Sequence, residues 1–267
     1  MTQLSGWKVL SPGRGGGDLV LAVDFATTGR SDSSFSDLAP RLDPALAVWE
    51  TRQPAGTAPL TAEDYLALWD GGAAADGRRV RAVLGYCAGG VFAGELAARV
   101  AARQGGEAPH LVLFEPEVPE PDGLYRDFAA MMNQFASVLT AEEVGAAQRE
   151  AEAARTADVD FGAYGDVLVR IFTERAGAAF AREELDTEML DEFAAVFRSY
   201  VSYLDAARRI DPAAAWSTGT AVSSRTPSQG AALAGRGVGI DVDHADMLRD
   251  ARVAEAVNRI LGSYVTS

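Results

Sequence analysis

One short run limits the fold of this 267-residue chain more than any other: Gly85-Tyr86-Cys87-Ala88-Gly89-Gly90, which holds its only cysteine. Ahead of it stands an apolar stretch, Val80 to Leu84, broken only by Arg81. Behind it, Val91 to Arg103 reads as a helix. Strand, glycine-bracketed turn and helix make the layout of a nucleophile elbow, in which the central residue projects from a strained turn at the end of a strand. Small residues are required two before and two after it, because strand and helix backbones approach closely there. A helix N-terminus beneath the sulfur favours the thiolate, the reactive form of cysteine. A cysteine can also be nothing more than a small buried hydrophobe. The surrounding chain has to decide between the two.

The first ~115 residues alternate strand-like and helix-like segments. Asp18 to Asp24 reads as a strand buried on both faces, Phe35 to Leu42 as a short helix, and Ala47 to Glu50 as a short strand. Thr61 to Trp69 reads as a helix with Thr61 at its N-cap and acids in its first turn. The Val80–Leu84 strand, the elbow, its helix and a strand from His110 to Glu115 follow. Such alternation implies α/β architecture, a mostly parallel sheet with helices on both faces.

From Pro116 to about Ala215 helical periodicity takes over. Leu190, Phe193, Phe197, Val201 and Leu204 form one apolar stripe, and Leu124, Phe128, Met131, Met132 and Phe135 another. A helical insertion over about 118–215 into a single domain spanning 1–267 has the form of a lid over the strand ends. The sheet pattern resumes with Gly219 to Arg225 and Val238 to Val242, and a helix from Arg252 to Tyr264 closes the chain.

Composition narrows the function. A net charge of −14 disfavours binding to nucleic acid or an anionic membrane. No apolar stretch approaches the ~20 residues that span a bilayer, and Met1 to Leu10 lacks the pattern of a secretory signal. One cysteine allows no internal disulfide and suits a reducing cytoplasm. Two histidines and one cysteine, far apart in sequence, make no zinc site.

A thiol nucleophile needs a base, an orienting acid and an oxyanion hole. His110 opens a strand, at the edge of the sheet opposite to where sites of open α/β sheets lie. His244 follows the last strand, at the correct edge and in the order nucleophile–acid–histidine. The base is therefore expected at His244. For the acid, one arrangement uses the residue after the strand that follows the nucleophile helix, which here is Glu115, with Glu117 two residues on. The other uses the end of the penultimate strand, here Ser223-Ser224-Arg225-Thr226-Pro227-Ser228, which has no carboxylate. Glu115 is therefore the expected acid. Asp241 and Asp243 lie too close in sequence to His244 to be preferred. The oxyanion donors are expected at the backbone amide of Ala88 and at the loop after the first strand, from Ala26 or Phe25.

These residues together carry a resemblance. Leu84 to Gly90 with Val91 to Ala97, Leu111 to Pro119, and Asp243 to Leu248 resemble the elbow, the acid-bearing strand and the histidine loop of α/β-hydrolase thioesterases of polyketide synthases and nonribosomal peptide synthetases. The likeness extends over nearly the full length. It implies an acyl chain delivered as a thioester on the phosphopantetheine of an acyl or peptidyl carrier protein, transferred to Cys87, and released by cyclisation, acyl transfer or hydrolysis, with no other cofactor and no metal. A chain that begins at Met1 and forms one domain suits a discrete cytoplasmic enzyme acting in trans. Three departures stand out: Cys87 replaces the usual Ser, Glu115 replaces the usual Asp, and Asp24-Phe25-Ala26-Thr27-Thr28 replaces the usual His-Pro-Ala-Gly-Gly. The elbow also resembles that of dienelactone hydrolase, an esterase of small lactones, which lacks the large helical insertion. A degenerate hydrolase serving as a non-catalytic binding module is the third expectation.

Overall fold

The computed structural model describes residues 6–14, 16–25, 32–54, 56, 58–156 and 158–262. They divide into two compact units. One comprises Met1–Pro54, Thr61–Val118 and Arg209–Ser267; the other comprises Ala55–Leu60 and Pro119–Arg208.

The first unit is built on a seven-stranded sheet: β1 (Trp7–Pro12), β2 (Leu19–Val23), β3 (Ala47–Thr51), β4 (Val80–Tyr86), β5 (His110–Phe114), β6 (Thr220–Ser223) and β7 (Arg236–Gly239), in the order β1-β3-β2-β4-β5-β6-β7. All neighbours run parallel except β1, which is antiparallel to β3. Every residue of β2 and β3 is buried, as a strand covered on both faces requires. β1 was not anticipated from the sequence. It is an edge strand whose one fully buried side chain is Trp7, and Lys8 and Pro12 are residues that edges tolerate.

The helices of this unit are α1 (Phe35–Leu38), α2 (Ala62–Asp76) and α3 (Gly89–Arg103). Thr61 caps α2 as expected, its hydroxyl accepting from the Asp64 amide while the Asp64 carboxylate accepts from the Thr61 amide. The helix runs past Trp69 to a left-handed Gly77. One face of the sheet packs Val20, Ala22, Val48, Leu84, Val112 and Phe114 against α1 and the C-terminal helix, in which Val253, Val257 and Leu261 are buried.

The second unit holds α4 (Pro121–Gln134), α5 (Ala141–Ala154), α6 (Phe161–Arg182) and α7 (Thr187–Arg208). Phe128, Phe135, Phe172 and Phe197 form its aromatic centre, with ring centroids 5.2–6.4 Å apart. The stripe expected on α7 is partly corrected: Leu190, Phe197, Val201 and Leu204 are buried, but Phe193 is 42% exposed beside Met189 and Val196. At 100° per residue these three share a different face of the helix. Two further helices, α8 (Ala213–Trp216) and α9 (Ala251–Gly262), belong to the first unit. There α8 is tied to α3: Trp216 Nε1 donates to the Gly90 carbonyl at 2.9 Å. Among the described residues no helix is long and apolar enough to cross a membrane.

Candidate active site

The elbow forms where the glycines foretell it. β4 ends at Tyr86, and α3 starts at Gly89. Cys87 between them has φ 50, in the left-handed region that a residue with a Cβ avoids. A side chain at Gly85 would put its Cβ 2.5 Å from the Gly90 Cα and 2.8 Å from the Ala93 Cβ. The strand and the helix can approach this closely only with glycine there. The Cys87 amide donates to the Phe114 carbonyl at 2.9 Å, and the Cys87 carbonyl accepts from Gly90 at 3.0 Å and Glu117 at 3.4 Å. The side chain is thus left half-buried at the C-terminal edge of the sheet. Ala88 stands at the N-cap of α3, so its amide lies among the helix N–H groups that have no intrahelical acceptor. Ala26 lies outside the described residues.

His244 reaches the same edge. It begins a short 3-10 helix, His244–Arg249, anchored by Met247 and Leu248, both fully buried. Ser33, also fully buried, clamps that turn from the α1 side. Its amide donates to the Ala245 carbonyl at 2.7 Å, and its hydroxyl accepts from the Leu248 amide at 2.8 Å. Arg225 holds the approach to the turn: its backbone amide donates to the Val242 carbonyl, and its guanidinium pairs with Asp241 at 2.7 Å and Asp243 at 2.6 Å. That pairing holds the Asp241 carboxyl below the usual carboxylate range and accounts for the two acids that immediately precede His244. The His244 ring is exposed, with Nε2 2.9 Å from the Tyr86 hydroxyl.

The orienting acid is corrected. Glu115 is buried at φ 42, immediately after β5, but it does not meet His244. Oε1 accepts from the Ser224 amide, and Oε2 accepts from the Ser228 amide at 2.6 Å. The carboxylate is turned toward the loop after β6. Hydrogen bonds to a charged group are each worth about 1.5–3 kcal/mol, so Glu115 fastens that loop. Among the described residues no carboxylate is hydrogen-bonded to His244.

Glu117, two residues on, lies against the sulfur. The Cys87 thiol donates to Glu117 Oε2 at 3.6 Å. The edge therefore carries two pairs, Cys87 with Glu117 and Tyr86 with His244. His110 stands at the start of β5, at the opposite edge. Burial first, then the positive charge of Arg81, Arg79 and Arg236, lowers its pKa below the usual histidine value. It takes no part in this site.

Solved structures resemble this fold over nearly their whole length. The Vlm2 thioesterase domain with genetically encoded 2,3-diaminopropionic acid, bound with a dodecadepsipeptide, is 16% identical over 96% of this chain and 98% of that one, with a TM-score of 0.55. The α/β-hydrolase MGS-M2 from a Medee basin deep-sea metagenome library is 11% identical over 98% and 94%, with a TM-score of 0.54. This chain has the α/β-hydrolase fold. An enol-lactonase from Burkholderia xenovorans LB400 shares it, at 17% identity over 98% and 96% and a TM-score of 0.52. No family model matches the sequence, and no curated protein does. In an α/β-hydrolase the turn after the central strand is where a nucleophile is displayed, and Cys87 occupies that turn.

Proposed function

We propose that this chain is a thioesterase-like acyl-processing enzyme of the cytoplasm, with Cys87 as nucleophile and His244 as base and acid. Its substrate is an acyl chain on the phosphopantetheine of an acyl or peptidyl carrier protein. The observation that carries this reading is the backbone of Cys87, forced to φ 50 between Gly85 and Gly90 at the head of α3. Strain at a position that glycine would occupy at no cost is retained where a side chain has work to do. The fold shared with a thioesterase domain supports the choice of substrate.

In the proposed step the thiol proton passes to His244 Nε2. Sγ bonds to the thioester carbonyl carbon, and the oxyanion that forms is met by the Ala88 amide. The carbon–sulfur bond to pantetheine breaks, and the leaving thiolate recovers the proton from His244. Nε2 must first exchange the Tyr86 hydroxyl for the thiol. Both sides of the reaction are thioesters, so the transfer is close to thermoneutral. The acyl group stays activated for an internal or weak nucleophile, which favours cyclisation or acyl transfer over hydrolysis.

The test is intact mass and product analysis of the protein incubated with acyl thioesters and small lactones. An acyl adduct that is lost in Cys87→Ala, and that turns over slowly in His244→Ala, is expected. Turnover of lactones alone assigns an esterase. No adduct and no turnover with either class leaves a binding module.

A further inference from the structure

Glu117 is attached to Cys87 at two points. Its backbone amide donates to the Cys87 carbonyl, and its carboxylate accepts from the thiol at 3.6 Å. Pro116 between the two glutamates is buried, and its carbonyl accepts from the Ser228 hydroxyl at 2.7 Å, so the segment carrying Glu117 is fixed to the sheet edge.

The direction of this contact is set by chemistry. The thiol is the donor in this contact and the carboxylate its acceptor. Loss of the thiol proton would give up the S–H donor and set two negative charges side by side. Both effects favour the neutral thiol. The helix N-terminus beneath Cys87 acts in the opposite direction. Glu115 is turned to Ser224 and Ser228, Asp241 and Asp243 to Arg225, His244 lies on Tyr86, and Asp24 is buried at the end of β2.

We infer that Glu117 holds Cys87 protonated in the resting protein, so that the nucleophile is released only when this carboxylate is neutralised or turned away. This rests on Cys87 being the reacting group, as in the preceding section. Glu117 is then a catalytic residue that restrains the thiol, a role opposite in sign to that of a base.

The experiment is the rate of alkylation of Cys87 by iodoacetamide across pH, read by intact mass on the full chain. Glu117→Gln keeps the size and removes the charge; it is expected to lower the midpoint of the profile by about one unit and speed alkylation at neutral pH about tenfold. Glu117→Asp keeps the charge but withdraws it by one methylene, and is expected to shift less. Glu255→Gln, the same charge change on the exposed side of α9, is expected to leave the profile in place. An unmoved or slower profile in Glu117→Gln overturns the assignment. The readout needs no acyl substrate. A shifted profile without acyl adducts sinks the thioesterase reading alone, and adducts with an unmoved profile sink the role of Glu117 alone.

Discussion

The turn holding Cys87 and the turn holding His244 lie at the same edge of one sheet, yet they are held by opposite means. The first is locked by steric fit. Gly85 lies against Gly90 and Ala93, α8 is bonded to the Gly90 carbonyl, and the Cys87 backbone is bonded on both sides. The second stands exposed on a short 3-10 helix, held by Ser33, by the Arg225 backbone and side chain, and by one hydrogen bond between His244 and Tyr86. A backbone wedged among buried atoms moves only if its neighbours move. An exposed side chain held by one hydrogen bond moves readily. If these residues cooperate, His244 is therefore the partner that travels, and Cys87 is the fixed point it travels to.

The comparison breaks most severely at Gly85. Gly85→Ala would force a methyl to within 2.5 Å of the Gly90 Cα, and backbone cannot yield as a flexible side chain does. A loss of about 3 kcal/mol or more is expected, read by denaturant unfolding. A stable Gly85→Ala protein would show that the elbow is not sterically locked. Next comes Ser33→Ala. It leaves the buried Leu248 amide without its acceptor, at a cost of about 2 kcal/mol. Hydrogen exchange should quicken at the amides of 244–249 and stay unchanged at the elbow. Equal quickening in both turns would show that they are one cooperative piece.

The smallest effect belongs to Arg225→Ala. Its side chain forms only exposed ion pairs, while its amide bond to Val242 survives the substitution. The sign with pH follows from Asp241. Its native carboxyl titrates below its unfolded value because of Arg225. The pair therefore stabilises above the unfolded pKa and loses that contribution as pH falls through the native one. The difference between wild type and Arg225→Ala should be present at neutral pH and fade in acid. It should also fade in high salt. A difference that persists in both would mean that Arg225 acts through packing.

Much of this edge was legible in the residues themselves. The elbow was readable because a close strand–helix crossing admits only glycine, and Gly85 and Gly90 bracket the only cysteine. His244 was readable by elimination, since the chain has one other histidine and that one opens a strand. Glu115 was placed at the correct edge but given the wrong partner. Its position depends on the local strand, whereas its bonds depend on where the loop after β6, over 100 residues later, brings Ser224 and Ser228. Glu117 carried no signal of its own, because one acid among 38 says nothing until its distance from sulfur is known. Phe193 was placed in the apolar stripe of α7, and helical spacing locates a stripe but not which of two adjacent stripes is covered.

The sequence by itself determined the alternation of strands and helices from β2 to β5, the position of the one cysteine, and the strained turn that displays it. All of these follow from rules acting over a few neighbouring residues: alternation, capping and the absence of a Cβ at Gly85. The tertiary structure alone decided the pairings. It turned Glu115 toward loop amides, set Glu117 against Cys87, and lent the Nε2 of His244 to Tyr86. Those choices join residues 30 to 158 positions apart, and no local rule spans that distance. Only the packing of the sheet edge does.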